Sequence, residues 1–203
     1  MFHEIIYKVN KVNGLGKEYS NTDLKFEGEY LNGKRYEKGK EYYENFESDK
    51  LKFDGIYLND KKWEGKGYDL SNNIIYELKN GKGYIKEYNF NYNKIEFEGE
   101  YLNGEKNGKG KEYYENGKLK FEGEYRNDKK WNGKGYDENG NIIYELKNGN
   151  GDVKEYYYHK LIFEGEYLNG KRNGKAKEYD EFTGKLYESE YLNGKKLERE
   201  KRI

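Results

Sequence analysis

The side chains that usually carry covalent or acid–base chemistry are scarce in this sequence. There is no Cys, and the imidazoles are His3 and His159 alone. That removes thiolate nucleophiles, disulfides and Cys-based zinc or iron sites, and leaves little for histidine ligation. Hydroxyl nucleophiles of the Ser type are Ser20, Ser48, Ser71 and Ser189, none of them near a His in sequence. A Ser-His-acid triad therefore has no plausible members. Carboxylates number 39 and are spread over the whole chain, so pairing two of them for general acid–base work would be satisfied trivially and points nowhere. The Gly-Lys-Gly words at 65–67, 81–83, 108–110 and 133–135 look like phosphate loops, but no Ser/Thr follows the Lys and no helix opens there. Packing glycines in strands is the better reading. The sequence predicts no enzyme, no catalytic residue, no metal site and no cofactor.

The other candidates are residues that could grip a partner. Trp63 and Trp131 each follow a Lys-Lys pair, at Lys61 and Lys62 and at Lys129 and Lys130. Placed in hairpin loops, such rings would either fold over the edge of their own hairpin or stand out as anchors for a protein partner. The flanking lysines could meanwhile meet an anionic lipid headgroup. Tyr36 sits in a similar position.

The elements that would hold these residues follow from repetition. An eight-residue word, Phe26-Glu-Gly-Glu-Tyr-Leu-Asn-Gly33, recurs at Phe53, Phe97, Phe121, Phe163 and Tyr187. Divergent copies begin at Ile74 and Ile142, and a degenerate one near Ile5. A second word of the Gly-Lys-Glu-Tyr or Gly-Lys-Gly-Tyr type follows after a short gap, as at Gly39, Gly65, Gly108 and Gly133. Phe26, Gly28 and Tyr30 alternate with Glu27, Glu29 and Leu31, the period of a half-buried strand. Asn32-Gly33, Asn103-Gly104, Asn169-Gly170 and Asn193-Gly194 supply the positive φ that tight hairpins demand. Each unit thus reads strand, turn, strand. A longer copy is also visible: Leu51 to Tyr68 reappears at Leu119 to Tyr136, and Ile74 to Gly81 at Ile142 to Gly149, both offset by 68 positions.

The expected fold is all-β, an elongated single-layer meander of about nine β-hairpins with repeats starting near 5, 26, 53, 74, 97, 121, 142, 163 and 187. One continuous array spans 1–203, and the basic stretch 195–203 forms a short capping helix or a frayed tail. Composition fits this thin shape. Ile, Leu, Val and Phe together make 38 of 203 residues, the level of a disordered chain, yet 18% of residues are aromatic and 25 are Tyr. In the divergent copies Tyr76 and Tyr144 stand where the word has Gly, so a glycine gap filled by a neighbouring ring is expected. Aromatics and glycines are assigned to one face, with Tyr30, Tyr57, Tyr101, Tyr125 and Tyr167 combining core and partner contact. The charges are assigned to the other face. With 39 basic against 39 acidic residues interleaved, and only five Arg among the former, no nucleic acid is expected as partner. No stretch approaches the roughly 18 apolar residues of a membrane span.

The two words together resemble MORN (membrane occupation and recognition nexus) repeats, including the variant form of YwqK-like antitoxins. The resemblance covers about residues 5 to 194. It departs from the family in having Tyr30, Tyr101, Tyr125, Tyr167 and Tyr191 where the family has Trp, and Asn107-Gly108, Asn132-Gly133 and Asn173-Gly174 for its His-Gly pair. What it implies is a twisted β-ribbon used for protein association, with dimerisation common. The expected role is a non-enzymatic scaffold in the cytoplasm, or peripheral to a membrane or cytoskeletal structure. Its partners would be proteins, a second copy of the chain included. A phospholipid-binding module and an antitoxin-like inhibitor of one partner protein are the alternatives.

Overall fold

Alternation of side chains across a strand and Asn-led turns between strands are enough to build most of what the chain adopts. The structure, a computed structural model, describes residues 6–8, 13–20, 22–44, 50–89, 94–157, 160–180 and 183–202. His3, Ser48, His159 and the repeat start near Ile5 lie outside the described residues. All the named elements are antiparallel strands, gathered in three open sheets in which they follow one another in chain order.

The chain divides into two compact units. In the first, residues 1–105, seven strands pair consecutively: β1 (Ile6–Lys8), β2 (Gly14–Ser20), β3 (Asp23–Leu31), β4 (Lys34–Tyr43), β5 (Lys50–Leu58), β6 (Lys61–Tyr68) and β7 (Ile74–Leu78). β8 (Gly83–Asn89) pairs with β9 (Lys94–Leu102). The second unit, residues 106–203, holds β10 (Glu105–Tyr113), whose first residue belongs to the first unit, then β11 (Leu119–Arg126), β12 (Lys129–Tyr136) and β13 (Ile142–Leu146). After these come β14 (Gly151–Tyr157), β15 (Lys160–Leu168), β16 (Lys171–Tyr179), β17 (Leu186–Leu192) and β18 (Lys195–Arg202). The stretch after 194 is therefore neither a capping helix nor a loose tail. It is a strand, paired with β17 through Tyr191–Lys196 and Leu192–Lys195.

The turns obey the Asn rule more widely than Asn-Gly alone. Asn32 and Gly33 have φ of 53° and 74°, and Asn59 and Asp60 follow with 52° and 71°. Both central residues are left-handed, as a type I′ hairpin requires. Asp is tolerated at the second position because its carboxylate reaches the neighbouring hairpin: Arg35 N–H donates to Asp60 Oδ1 at 2.8 Å. Lys106 N–H does the same to Asp128 Oδ1 at 2.7 Å.

Across the sheets, residues fall into rows perpendicular to the strands. Gly16, Gly28, Gly39, Gly55 and Gly65 are successive partners in the first unit. A Cβ on Gly39 would lie 2.5 Å from the Phe26 ring, so Phe26 lies over the bare backbone of the next strand, as Phe53 does at Gly65 and Phe121 at Gly133. Phe26, Phe53, Phe97, Phe121 and Phe163 are all almost wholly buried. The divergent word sits two residues out of step with its sequence alignment. Tyr76 stands opposite Gly67 in the Phe53 row, and Leu78 stands opposite Gly65 in the glycine row. Tyr76 is thus the counterpart of Phe53, not of Gly55. On the opposite face Lys17, Glu27, Lys40, Asp54, Lys66 and Glu77 are consecutive partners, an unbroken alternation of sign. Lys17–Glu27 at 3.0 Å is one of the ion pairs in it.

Candidate functional site: a repeated carboxylate, ring and cation set

The row that carries Phe does not carry Phe alone. Glu18 pairs with Phe26, Phe26 with Glu41, and Glu41 with Phe53. The Glu of each Gly-Lys-Glu-Tyr word therefore points to the ring side, because Gly39, Glu41 and Tyr43 share one parity along β4 while Lys38, Lys40 and Tyr42 share the other. Placing all charges on the far face was wrong for these residues. The alternation inside the second word held the signal.

Glu18, Glu41, Glu155 and Glu178 each collect a Tyr hydroxyl and a cation from the next hairpin. Tyr30 donates to Glu18 at 2.6 Å, and Arg35 grips the same carboxylate through Nε at 3.2 Å and Nη2 at 2.7 Å. The Arg35 guanidinium also lies 4.1 Å from the centre of the Phe26 ring. In the second unit Tyr167 donates to Glu155 at 2.7 Å, Arg172 binds Glu155 at 2.6 Å, and its guanidinium lies 4.1 Å from the Phe163 ring centre. Lysine versions occur at Lys62–Glu41 (2.9 Å) and Lys130–Glu112 (2.7 Å), with the ammonium 5.1 Å over Phe53 and 4.8 Å over Phe121. Lys196 of β18 closes the last set on Glu178 at 2.7 Å. Rings meet edge to face within each set, as Phe26 does with Tyr30 at 5.7 Å and with Tyr57 at 5.1 Å. The set thus combines a bidentate or point-charge ion pair, a charge-assisted hydroxyl bond and a cation over a ring.

Where the Glu is missing, the volume is exchanged. Gly67 and Gly135 replace it, and a Cβ on either would fall 2.0 Å from the ring of Tyr76 or Tyr144.

The charges respond to their burial. Desolvation alone would raise the Glu41 carboxyl, but Lys62, Lys52 and Arg35 overcome it and hold the group well below the usual carboxylate range. For Glu112, desolvation again raises the carboxyl, but the charge of Lys130 and its hydrogen bond to the carboxylate outweigh it and lower the group. Burial pushes the Tyr57 hydroxyl well above its ordinary value, with the Glu41 charge adding to it. Tyr114 is pushed up to about 12, mainly by burial.

Among the residues expected to bind partners, Tyr30 and Tyr125 are buried, Tyr101 and Tyr167 half-buried, and Tyr101 donates to Glu87 at 3.1 Å as its counterparts do. Tyr36 is a half-buried residue of β4. Trp63 and Trp131 are not in loops. Each is an extra residue in its strand: Ile56 pairs with Glu64 and Tyr57 with Lys62, which leaves Trp63 as a bulge. Trp131 is the same between Asn132 and Lys130. Each ring covers the turn of the following hairpin, where a Cβ on Gly81 would lie 2.9 Å from Trp63 and one on Gly149 3.0 Å from Trp131. The Trp63 carbonyl accepts from Gly81 N–H at 2.6 Å. Of the four lysines expected to meet anions, Lys62 and Lys130 point inward in the sets just described. Lys61 pairs with Glu105 at 2.6 Å, and Lys129 packs its stem near Gly170.

The chain matches no protein-family model and no curated protein.

Proposed function

We propose that this chain is a non-enzymatic repeat scaffold, a single-layer meander of nine hairpins of the MORN type that mediates protein association. The observation that supports this best is the use of the ring face: its carboxylates, hydroxyls and cations bind one another in a repeating set, as Glu18, Tyr30 and Arg35 do. Groups held this way stiffen the sheet and are not free to transfer protons or attack a substrate. Partner contact then falls to the opposite face, where rows of alternating charge such as Lys17 to Glu77 run beside exposed Leu15 and Leu31. Alternating charge of this kind selects partners by register more than by net field.

Affinity purification from the native cell, with mass spectrometry and light scattering, tests the proposal. A defined protein partner or a homotypic assembly is expected. A chain that elutes as a free monomer with no stoichiometric partner would count against it. The phospholipid alternative loses Lys62 and Lys130, which are held by Glu41 and Glu112. Liposome pelleting that is unaffected by anionic lipid content is the expected result.

A further inference from the structure

In the second unit the strands β13 and β14 start together and then part. Lys147 and Asn150 exchange two backbone hydrogen bonds of 3.0 Å at their connecting turn, but beyond it the strands belong to different sheets. The opening between them holds a cavity of about 180 Å³. Ile143 and Tyr144 of β13, Val153 and Tyr156 of β14, Tyr114 and Lys120 form its walls.

The walls are largely fixed. Tyr114 donates its hydroxyl to the Tyr136 carbonyl at 2.7 Å, and the Lys120 ammonium lies 5.4 Å from the Tyr114 ring centre. The other charges on the lining are paired: Lys130 with Glu112, Lys154 with Glu164 at 3.2 Å, and Glu155 with Arg172. Lys120 makes no ion pair among the described residues, so the lining carries one uncompensated positive charge.

Size and chemistry then restrict the ligand. The cavity is slightly larger than the ~150 Å³ that accommodates a single benzene ring and smaller than the ~300 Å³ where pockets for larger ligands begin. Tyrosine rings offer edge-to-face and offset contacts to a flat ring, the aliphatic Ile143 and Val153 add apolar contact, and Lys120 on the lining favours an anionic substituent. We infer that the cleft between β13 and β14 binds a small monocyclic aromatic carboxylate, of which benzoate is the simplest. This site is independent of the scaffold role.

The test is a titration of the full chain with benzoate and, separately, with neutral benzyl alcohol, followed by amide NMR shifts. Benzoate is expected to move the Ile143 and Val153 signals saturably and to bind more tightly than the alcohol. Lys120→Met should weaken benzoate by about tenfold and leave the alcohol unchanged, since one charge-assisted contact is lost. Ile143→Trp should abolish both while the unfolding midpoint is kept, and Val153→Phe serves if that variant does not fold. Absence of saturable shifts at these residues with millimolar benzoate would overturn the site. Equal binding of benzoate and benzyl alcohol, or no effect of Lys120→Met, would overturn the anionic class.

Discussion

Gly67 and Tyr76 occupy one volume between them: the ring of Tyr76 reaches to within 2.0 Å of where a Gly67 Cβ would stand. The two residues face each other across β6 and β7, in the row where other hairpins place a Glu and a Phe. Gly67→Ala should therefore cost about 1–3 kcal/mol through overpacking. Chemical denaturation of the variant measures it. Gly67→Ala combined with Tyr76→Leu should recover part of the loss, and a purely additive double variant would show that the ring is not the obstacle.

Glu41→Gln leaves Lys62 with its charge turned inward and no full counter-charge. A loss of about 2–4 kcal/mol is expected, somewhat below the value for a wholly enclosed pair because a sixth of each side chain still meets water. By contrast, Glu77→Gln on the charged face, where the Lys66 contact is 3.6 Å and half exposed, should change stability by less than about 0.5 kcal/mol. Urea midpoints of the two variants separate the classes.

Acid should unfold the chain through these carboxylates. Glu41, Glu112 and Glu178 all titrate below the usual range in the folded state. Their contribution is complete above the unfolded carboxylate value of about 4.3 and is lost as pH falls through the folded values. Glu41→Gln and Glu112→Gln should each flatten the stability-against-pH curve below about pH 4.5 and leave its shape near neutrality unchanged. Thermal melts across that window give the slope.

Alkali acts through the rings. Tyr30, Tyr57 and Tyr167 have hydroxyls raised above the ordinary value, and Tyr114 is raised to about 12. Raised groups stabilise the fold fully below the unfolded value of about 10 and lose that contribution as pH climbs through the folded one. The ultraviolet titration of tyrosinate should show a first phase from exposed rings and a second, cooperative phase that coincides with loss of the β signal in circular dichroism. A single phase near pH 10 with the fold intact would contradict the buried sets.

Trp63→Ala and Trp131→Ala should each lower stability by about 2–4 kcal/mol, because the ring covers the turn at Gly81 or Gly149. Partner capture at a temperature where the variants are folded should be unchanged. A loss of capture without loss of stability would restore these rings as contact residues.

The strand content, the Asn-led turns and the face on which the Phe rings lie were readable in the sequence, since alternation and positive-φ residues are local properties. The identity of the inner polar residues was harder to read. Glu18, Glu41 and Arg35 look like ordinary surface charges in a chain so rich in them, and only the parity of Gly39, Glu41 and Tyr43 betrays the inward position. The bulges were hidden for another reason. Nothing in Lys61-Lys-Trp63 distinguishes a loop from a strand with one extra residue, because the distinction is made by the register of β5. The same holds for Tyr76, whose alignment to a glycine followed word similarity while its position follows pairing.

Each set of carboxylate, rings and cation draws on three consecutive strands, as Glu18 from β2, Phe26 and Tyr30 from β3 and Arg35 from β4 show. No hairpin is chemically complete by itself. A chain ending after β3 would strand a carboxylate, and one beginning at β4 would strand a cation, so viable lengths come in steps. Insertion or loss of repeats is then tolerated only in phase, and β18 keeps that phase by delivering Lys196 to Glu178.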